Sequence, residues 1–260
     1  MPKLWVLRGI KKGILTTKFP KRPPAPDEVP PSSAPPTPTE ASDWDKGESL
    51  CPTGAIQASR KKVDLGACVY CRRCASANFA FAAGDDRGPA SLRASLAEDG
   101  RAEKETLEDL ERRWKTFRRS LHILMIDVGS CNACNLEVLN LSNPYYDLTR
   151  LGIFFTNSPK HADALVVVGA LNKDMVDVLK RTYESMPHPK VVISTGACAI
   201  SGGVFRDAES FVSPIRDALP VDVLIPGCPP SPIQILQGLL LGLGKLQSGR
   251  ESNAVEVAKD

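Results

Sequence analysis

The chain has 260 residues, of which 42% are hydrophobic, and its formal net charge is +3. This length allows one α/β domain and a smaller second domain with ordinary cores, while the small charge gives no argument for nucleic-acid binding. No apolar run approaches the roughly 18 residues of a membrane span, and no secretory signal is evident. Cysteines in a chain without an export signal are more often metal ligands than disulfides, so a reducing cytoplasm is expected.

Residues 1–19 form a basic lead in which lysines and arginines alternate with Trp5, Leu7, Ile10 and Ile14. This pattern is typical of an amphipathic segment that lies on a partner or on a membrane surface, with a solvated basic tail as the alternative. Residues 20–48 follow, and nine prolines lie between Pro20 and Pro38. Such a composition predicts an extended, semi-rigid linker.

Four cysteines lie in a compact motif at residues 49–84, within CPTGAI and ACVYCRRC. They are Cys51, Cys68, Cys71 and Cys74. A [4Fe–4S] cube takes one thiolate per iron, so this set predicts one cluster. Zinc is the alternative, since short CxxC motifs also bind zinc. Arg72 and Arg73 could offset the charge of a thiolate-bound cluster, or they are ordinary exposed charges.

Residues 102–120 predict a connecting helix. Its apolar side chains recur at steps of three and four and form one stripe, which predicts packing and no chemistry. The stripe contains Leu107, Leu110, Trp114 and Phe117.

Strands alternate with helices over residues 121–248, and a polar tail follows at 249–260. The strand candidates are residues 122–129, 151–157, 164–170, 190–196 and 221–227. Continuous runs rich in Val and Ile are typical of parallel strands buried on both faces. A helix is predicted at 173–186, and another begins at Ser231, with Pro232 next and Gln234 completing a capping box. The predicted fold class is α/β, with a flavodoxin-like parallel sheet and helices on both faces.

The remaining four cysteines follow predicted strands. They are Cys131, Cys134, Cys198 and Cys228. Their loops lie past the carboxyl ends of three parallel strands, where open α/β sheets bind their ligands. Gly129, Gly196 and Gly227 precede these cysteines closely and would allow tight turns. The set predicts a second [4Fe–4S] cluster, so that all eight cysteines are used, with a structural zinc site as the alternative.

The motifs GSCNACNLE, GACAISGG and PGCPPSP resemble the small subunit of [NiFe] hydrogenases, especially the energy-converting membrane-bound group. They are also similar to the 20 kDa (B-type) subunit of respiratory complex I. The resemblance covers residues 118–247 and implies a cluster that is proximal to the nickel–iron site, or the last cluster before quinone. Complex I subunits usually have two adjacent cysteines in the first motif, whereas here Cys131 and Cys134 form a hydrogenase-like CxxC. Glu137 matches a family glutamate implicated in proton transfer, with a first-turn helix carboxylate as the alternative.

Residues 49–84 resemble half of a bacterial ferredoxin domain. Bacterial ferredoxins use two CxxCxxCxxxCP runs, and the last cysteine of each run binds the cluster of the other run. Crossed ligation of this kind would let Cys51 complete a cluster held by Cys68, Cys71 and Cys74. The lead LWVLRGIKKGILTTKFP is similar to the N-terminus of ferredoxin-like subunits in hydrogenlyase and complex I assemblies.

The expected protein is therefore the electron-transfer subunit of a multisubunit, membrane-associated [NiFe] hydrogenase. It would relay electrons through two [4Fe–4S] clusters to or from a nickel–iron site on a partner chain, with no catalytic residue of its own beyond Glu137. The alternatives are the B-type subunit of a complex I-like NADH/ferredoxin:quinone oxidoreductase and a zinc-stabilised, non-catalytic assembly protein.

Its expected partners follow from the same resemblance. They are a hydrogenase-type large subunit or the 49 kDa-like subunit of complex I, a ferredoxin or other iron–sulfur subunit, and membrane-arm subunits, but no nucleic acid. The expected location is cytoplasmic, peripheral on the inner face of the cytoplasmic membrane through partner subunits.

Overall fold

The computed structural model describes residues 5–13, 15–20, 35–81, 91–92, 112–117, 119–212 and 214–243. Residues 21–34 of the predicted linker, the first part of the predicted connecting helix and the polar tail lie outside the described residues. Over these ranges, the structure contains no helix that is long and apolar enough to cross a membrane.

The basic lead contains helix α1 (Trp5–Lys12), and the segment after this helix packs against the larger domain. Phe19 is 7% exposed and belongs to the main hydrophobic core. The backbone N–H of Thr17 donates to the Tyr145 carbonyl at 2.8 Å, and Arg150 donates to the carbonyls of Thr17 and Phe19 at 3.3 Å. The end of the lead is therefore part of the fold, which its basic composition did not reveal.

Residues 35–81 form a small domain around the first cysteine set. Its elements are α2 (Trp44–Leu50), β1 (Ile56–Gln57) and β2 (Lys62–Val63), the two strands being antiparallel. Helix α2 begins inside the range predicted as linker. The Trp44 ring packs edge-on against Phe79 with centroids 5.2 Å apart, and Thr37 pairs with Ala80. These partners are distant in sequence, so proline content alone could not predict the packing.

The larger domain is built on one sheet. The strands are β3 (Ser91–Leu92), β4 (Leu121–Asp127), β5 (Ile153–Phe155), β6 (Ala164–Val168), β7 (Leu171–Asn172), β8 (Val191–Thr195), β9 (Phe211–Val212) and β10 (Val223–Ile225). Five of these strands are parallel and lie side by side in the order β5, β4, β6, β8 and β10. Strand β3 pairs antiparallel with the edge strand β10, while β7 and β9 form a separate antiparallel pair. Numbered along the chain, the parallel strands have the order 2-1-3-4-5 of flavodoxin-like folds, which confirms the predicted fold class.

Helices cover both faces of this sheet. Val166 of β6 belongs to one hydrophobic core and its neighbour Leu165 to the other, because successive side chains of a strand point to opposite faces. Trp114 and Phe117 of the predicted stripe are buried in the first core, at helical residues 112–116 and the turn after them. Leu107 and Leu110 lie outside the described residues.

The helices of the larger domain follow its parallel strands. They are α3 (Ala133–Asn140), α4 (Val176–Glu184), α5 (Ala197–Ser201) and α6 (Pro232–Gly242). The predicted capping box of α6 is confirmed: the Ser231 N–H donates to Gln234 Oε1 at 2.8 Å, and the Gln234 N–H donates to Ser231 Oγ at 3.3 Å. Helix α6 packs on the first core and α4 on the second, so the sheet lies between helical layers.

Candidate metal centres formed by two cysteine sets

The second cysteine set lies at one edge of the sheet. Cys131 follows β4, Cys134 is in the first turn of α3, Cys198 is in α5 directly after β8, and Cys228 follows β10. Strands β4, β8 and β10 are parallel members of one sheet, so their carboxyl ends share this edge. The turns after these strands thus bring together thiols from three segments that are far apart in sequence.

Electrostatics shows that these thiols influence one another. Burial raises the pKa of Cys134 to about 12, and the charges of Cys198, Cys228 and Cys131 add to the increase. Burial likewise raises the pKa of Cys198 to about 11, again with contributions from Cys228 and Cys131. Thiols with such raised pKa values keep their protons at neutral pH until a metal cation binds and displaces them, because thiolate is the form that binds metal. The donor set therefore fits a metal–sulfur centre.

Gly196 lies directly against the Cys134 thiol in this site. Its φ is +91°, and a Cβ atom at this position would lie 2.6 Å from Cys134 Sγ. Gly129 and Gly227, the glycines predicted to form the neighbouring turns, also have positive φ, at +134° and +145°. The turns therefore need glycine, as the sequence predicted.

A carboxylate clamp, which no sequence motif predicted, holds the Cys131 loop. Asp127 Oδ1 accepts hydrogen bonds from the N–H groups of Gly129 and Ser130 at 2.9 and 2.8 Å, and its Oδ2 accepts from Ser130 Oγ and Asn135 Nδ2. Burial raises the pKa of Asp127, but these hydrogen bonds outweigh it and hold the pKa below its usual value. The available sequence signal was an aspartate at a strand end with Gly and Ser at the second and third positions after it.

Glu137 lies on α3, one turn after the CxxC motif, and is half-buried. Its charge contributes to the raised pKa of Cys134, so the carboxylate lies near that thiol. The neighbouring Leu136 is 55% exposed, and Leu139 is also exposed. Helix α3 thus presents apolar side chains beside the cysteine set.

The first cysteine set gathers in the small domain. Its members are Cys51 at the end of α2, Cys68 and Cys71 in the loop after β2, and Cys74 in the turn Arg73–Ala77. All four line one pocket. Burial raises the pKa of Cys68 to about 12, the Tyr70 N–H opposes this increase, and the charges of Cys51, Cys74 and Cys71 add to it.

Backbone N–H groups surround the Cys51 sulfur. The Ala55 N–H donates to Cys51 Sγ at 3.2 Å. Burial raises the pKa of Cys51, but hydrogen bonds from Thr53, Ile56 and Ala55 outweigh it, so the net pKa is lowered. The CPTGAI loop is therefore shaped to stabilise a thiolate, which fits a metal-bound sulfur.

The arginines between the first-set cysteines lie on the surface. Arg72 and Arg73 are both exposed, and the Arg72 guanidinium lies over the Phe81 ring, 5.4 Å from its centroid. Within the described parts of the chain, no group of three or more His, Cys, Asp or Glu side chains is arranged to hold a single metal ion.

Comparison with known proteins gives matches over the second cysteine set. Residues 131–241 match the family described as NADH ubiquinone oxidoreductase, 20 Kd subunit. A probable membrane-bound hydrogenase subunit of Pyrococcus furiosus is 41% identical over 132 residues, which cover 51% of this chain and 79% of that protein. The B-type subunit of the NADH-quinone oxidoreductase of Citrifermentans bemidjiense is 48% identical over 119 residues, which cover 46% of this chain and 69% of that protein.

Among solved structures, the chain is similar to a chain of the membrane-bound sulfane sulfur reductase, an archaeal respiratory membrane complex. The identity is 30% and the TM-score 0.46, with 55% of this chain and 78% of that chain covered. The family match begins at Cys131, so the first cysteine set lies outside it.

Proposed function

This chain belongs to the family of the NADH ubiquinone oxidoreductase 20 Kd subunit, and from this premise we propose that it is the electron-transfer subunit of a membrane-associated [NiFe] hydrogenase. It is an oxidoreductase subunit of the hydrogenase and NADH-quinone oxidoreductase type. The observation that carries the proposal is the meeting of Cys131, Cys134, Cys198 and Cys228 at the carboxyl edge of the sheet, inside the family match.

These four thiols would hold the cluster next to the partner's redox site. Cys51, Cys68, Cys71 and Cys74 would hold another, in the half-ferredoxin domain. Each bound [4Fe–4S] cluster would supply reversible one-electron redox chemistry. The protein would supply the thiolate ligands and keep water away from those that are buried. It also directs the Ala55 N–H at Cys51 Sγ. Ligation, burial and hydrogen bonding of this kind tune a cluster's reduction potential.

The hydrogenase assignment is supported by the spacing of Cys131 and Cys134, which is the hydrogenase-like CxxC arrangement. The second candidate is the B-type subunit of a complex I-like quinone oxidoreductase, and the 48% identity to such a subunit of an NADH-quinone oxidoreductase favours it. In the hydrogenase case the nickel–iron chemistry would take place on a partner chain, because the proposed clusters use all eight cysteines and leave none to bind nickel.

The partner would cover the surface beside the second set. Helix α3 presents exposed Leu136 and Leu139 there, and Glu137 lies between them. A hydrogenase-type large subunit, or its 49 kDa-like counterpart in complex I, would bury these leucines and bring Glu137 to the interface as a candidate for proton transfer. A ferredoxin or another iron–sulfur subunit would exchange electrons with the first set. Membrane-arm subunits would hold the assembly on the inner face of the cytoplasmic membrane.

The test is metal analysis of the complex purified anaerobically on a C-terminal tag of this chain. Near-stoichiometric nickel together with abundant iron is the expected result. Iron without nickel, in a preparation that retains the large partner, would favour the quinone oxidoreductase. Zinc without visible-range cluster absorbance would overturn both candidates and indicate a zinc-stabilised assembly protein.

A further inference from the structure

The small cysteine domain packs against the α/β domain through segments that adjoin the cysteines. Ile200 Cγ2 lies 2.9 Å from the position that a Cβ atom on Gly66 would occupy. Gly66 is buried and lies two residues before Cys68, while Ile200 lies two residues after Cys198. The contact therefore joins the neighbourhoods of one cysteine from each set.

Arg206 of the α/β domain makes the second contact. Its Nη2 lies 3.1 Å from the position of a Cβ atom on Gly54, in the loop that follows Cys51. The Arg206 side chain is 43% exposed, and its ion pair with Asp207 is long, at 3.6 Å, to a carboxylate that is 92% exposed. Such a pair is weak in water, so a positive charge remains beside the Cys51 loop.

We propose that electrons cross between the two metal centres at the interdomain seam, which is formed by Gly54, Gly66, Ile200 and Arg206. In this seam Arg206 is a positioning residue, and its charge raises the reduction potential of the first centre. The proposal rests on the proposed function, in which each cysteine set holds one [4Fe–4S] cluster. At the crossing, one electron leaves one centre, which is oxidised, and enters the other, which is reduced. No bond forms or breaks and no proton moves. A ferredoxin-class protein and the partner subunit's redox site are the outer donor and acceptor, in either direction.

The physical basis for the role of Arg206 is charge. Reduction adds a negative charge to a centre, and a nearby guanidinium stabilises that more negative state, so its removal lowers the reduction potential. Gly66 contributes through its lack of a side chain, which allows Ile200 of the α/β domain to pack directly against the backbone of the small domain.

The first experiment is a redox titration, followed by electron paramagnetic resonance, of the full chain loaded with iron and sulfide under anaerobic conditions. We expect Arg206→Gln to lower the midpoint potential of the first centre, to leave the second nearly unchanged and to retain the iron content. Arg206→Lys should restore most of the potential. Arg181→Gln, which changes an exposed arginine of α4, is the matched control and should shift neither centre. A first-centre potential in Arg206→Gln equal to that of the unchanged chain would overturn the role of Arg206.

The second experiment measures the magnetic interaction between the two reduced centres. The spectrum of the fully reduced chain is compared with the sum of the spectra of Cys74→Ser and Cys228→Ser, each of which retains one centre. We expect the spectrum of the unchanged chain to differ from this sum by splitting or broadening of its lines. The spectrum of Gly66→Val should be closer to the sum, because the added side chain would collide with Ile200 and separate the two centres. A spectrum of the unchanged chain equal to the sum would overturn the crossing.

These outcomes separate the crossing from the function on which it rests. Two iron-loaded sites without magnetic interaction would contradict the crossing alone, whereas a chain that binds no iron would contradict the proposed function. If Gly66→Val fails to bind iron, the spectrum of the unchanged chain, compared with the sum of the two single-centre spectra, still tests the crossing.

Discussion

Gly196 and Cys134 share one small space at the edge of the sheet. A Cβ atom on Gly196 would lie 2.6 Å from Cys134 Sγ, and the φ of Gly196 is +91°. The N–H of Gly196 also donates to the Ile225 carbonyl at 2.8 Å, which ties the turn after β8 to the end of β10. The backbone turn and the thiol position therefore depend on each other.

We predict that Gly196→Ala removes iron from the second cysteine set while the first set keeps its own. The added methyl group would collide with Cys134 Sγ, and alanine rarely adopts this φ. Iron and sulfide analysis of the purified chain, with visible-range absorbance as a cluster marker, measures the effect. Gly9→Ala is the matched control, because nothing lies within 4 Å of a Cβ at that helical position. Full iron content in Gly196→Ala would contradict the prediction.

Each cysteine set should act as an independent ligand group. Cys228→Ser should remove the iron of the second set and leave that of the first, and Cys74→Ser should do the reverse, so each variant is expected to bind about half of the iron. Metal analysis with electron paramagnetic resonance of the reduced proteins distinguishes the remaining centre. If either substitution left the iron content unchanged, that cysteine would not be a ligand.

Phe19 should stabilise the α/β domain although it lies in the basic lead. Its ring is 7% exposed within the main core, so Phe19→Ala is expected to lower the free energy of unfolding by about 3 kcal/mol. Urea denaturation measures this change. Leu15→Ala is the control, since Leu15 is 67% exposed and should contribute little. Equal stabilities of the two variants would place Phe19 outside the core.

Asp127 should make stability depend on pH. Its folded-state pKa is lowered by hydrogen bonds that outweigh burial, so its contribution is present above the unfolded-state pKa of about 3.9 and is lost as pH falls through the folded-state pKa. Because Asp127 is exposed, we expect Asp127→Asn to cost only about 1 kcal/mol at pH 7. The difference from the unchanged chain should shrink towards zero in acid.

Urea unfolding of the metal-free proteins at several pH values tests this dependence. Asp207→Asn is the control, because that side chain is 92% exposed. A difference between Asp127→Asn and the unchanged chain that stayed constant from neutral pH into acid would show that the Asp127 charge is not involved.

Several elements were predictable because their causes are local in the sequence. The apolar runs predicted all five parallel strands, because most parallel strands buried between two helical layers are continuous apolar runs. The Ser231–Gln234 capping box was readable because its two partners are three residues apart. The meeting of Cys131, Cys198 and Cys228 was also predictable, because parallel strands share the direction of their carboxyl ends.

The sequence by itself thus determined the fold class and the composition of both cysteine sets. Only the tertiary structure decided that Phe19 enters the main core, that α2 begins within the range predicted as linker, and that Ile200 and Arg206 dock the small domain at Gly66 and Gly54. The physical reason is the range of the interactions. Apolar periodicity and helix caps depend on residues that are close in sequence within one element. The contacts of Phe19, Ile200 and Arg206 instead join surfaces that become complementary only after both have folded.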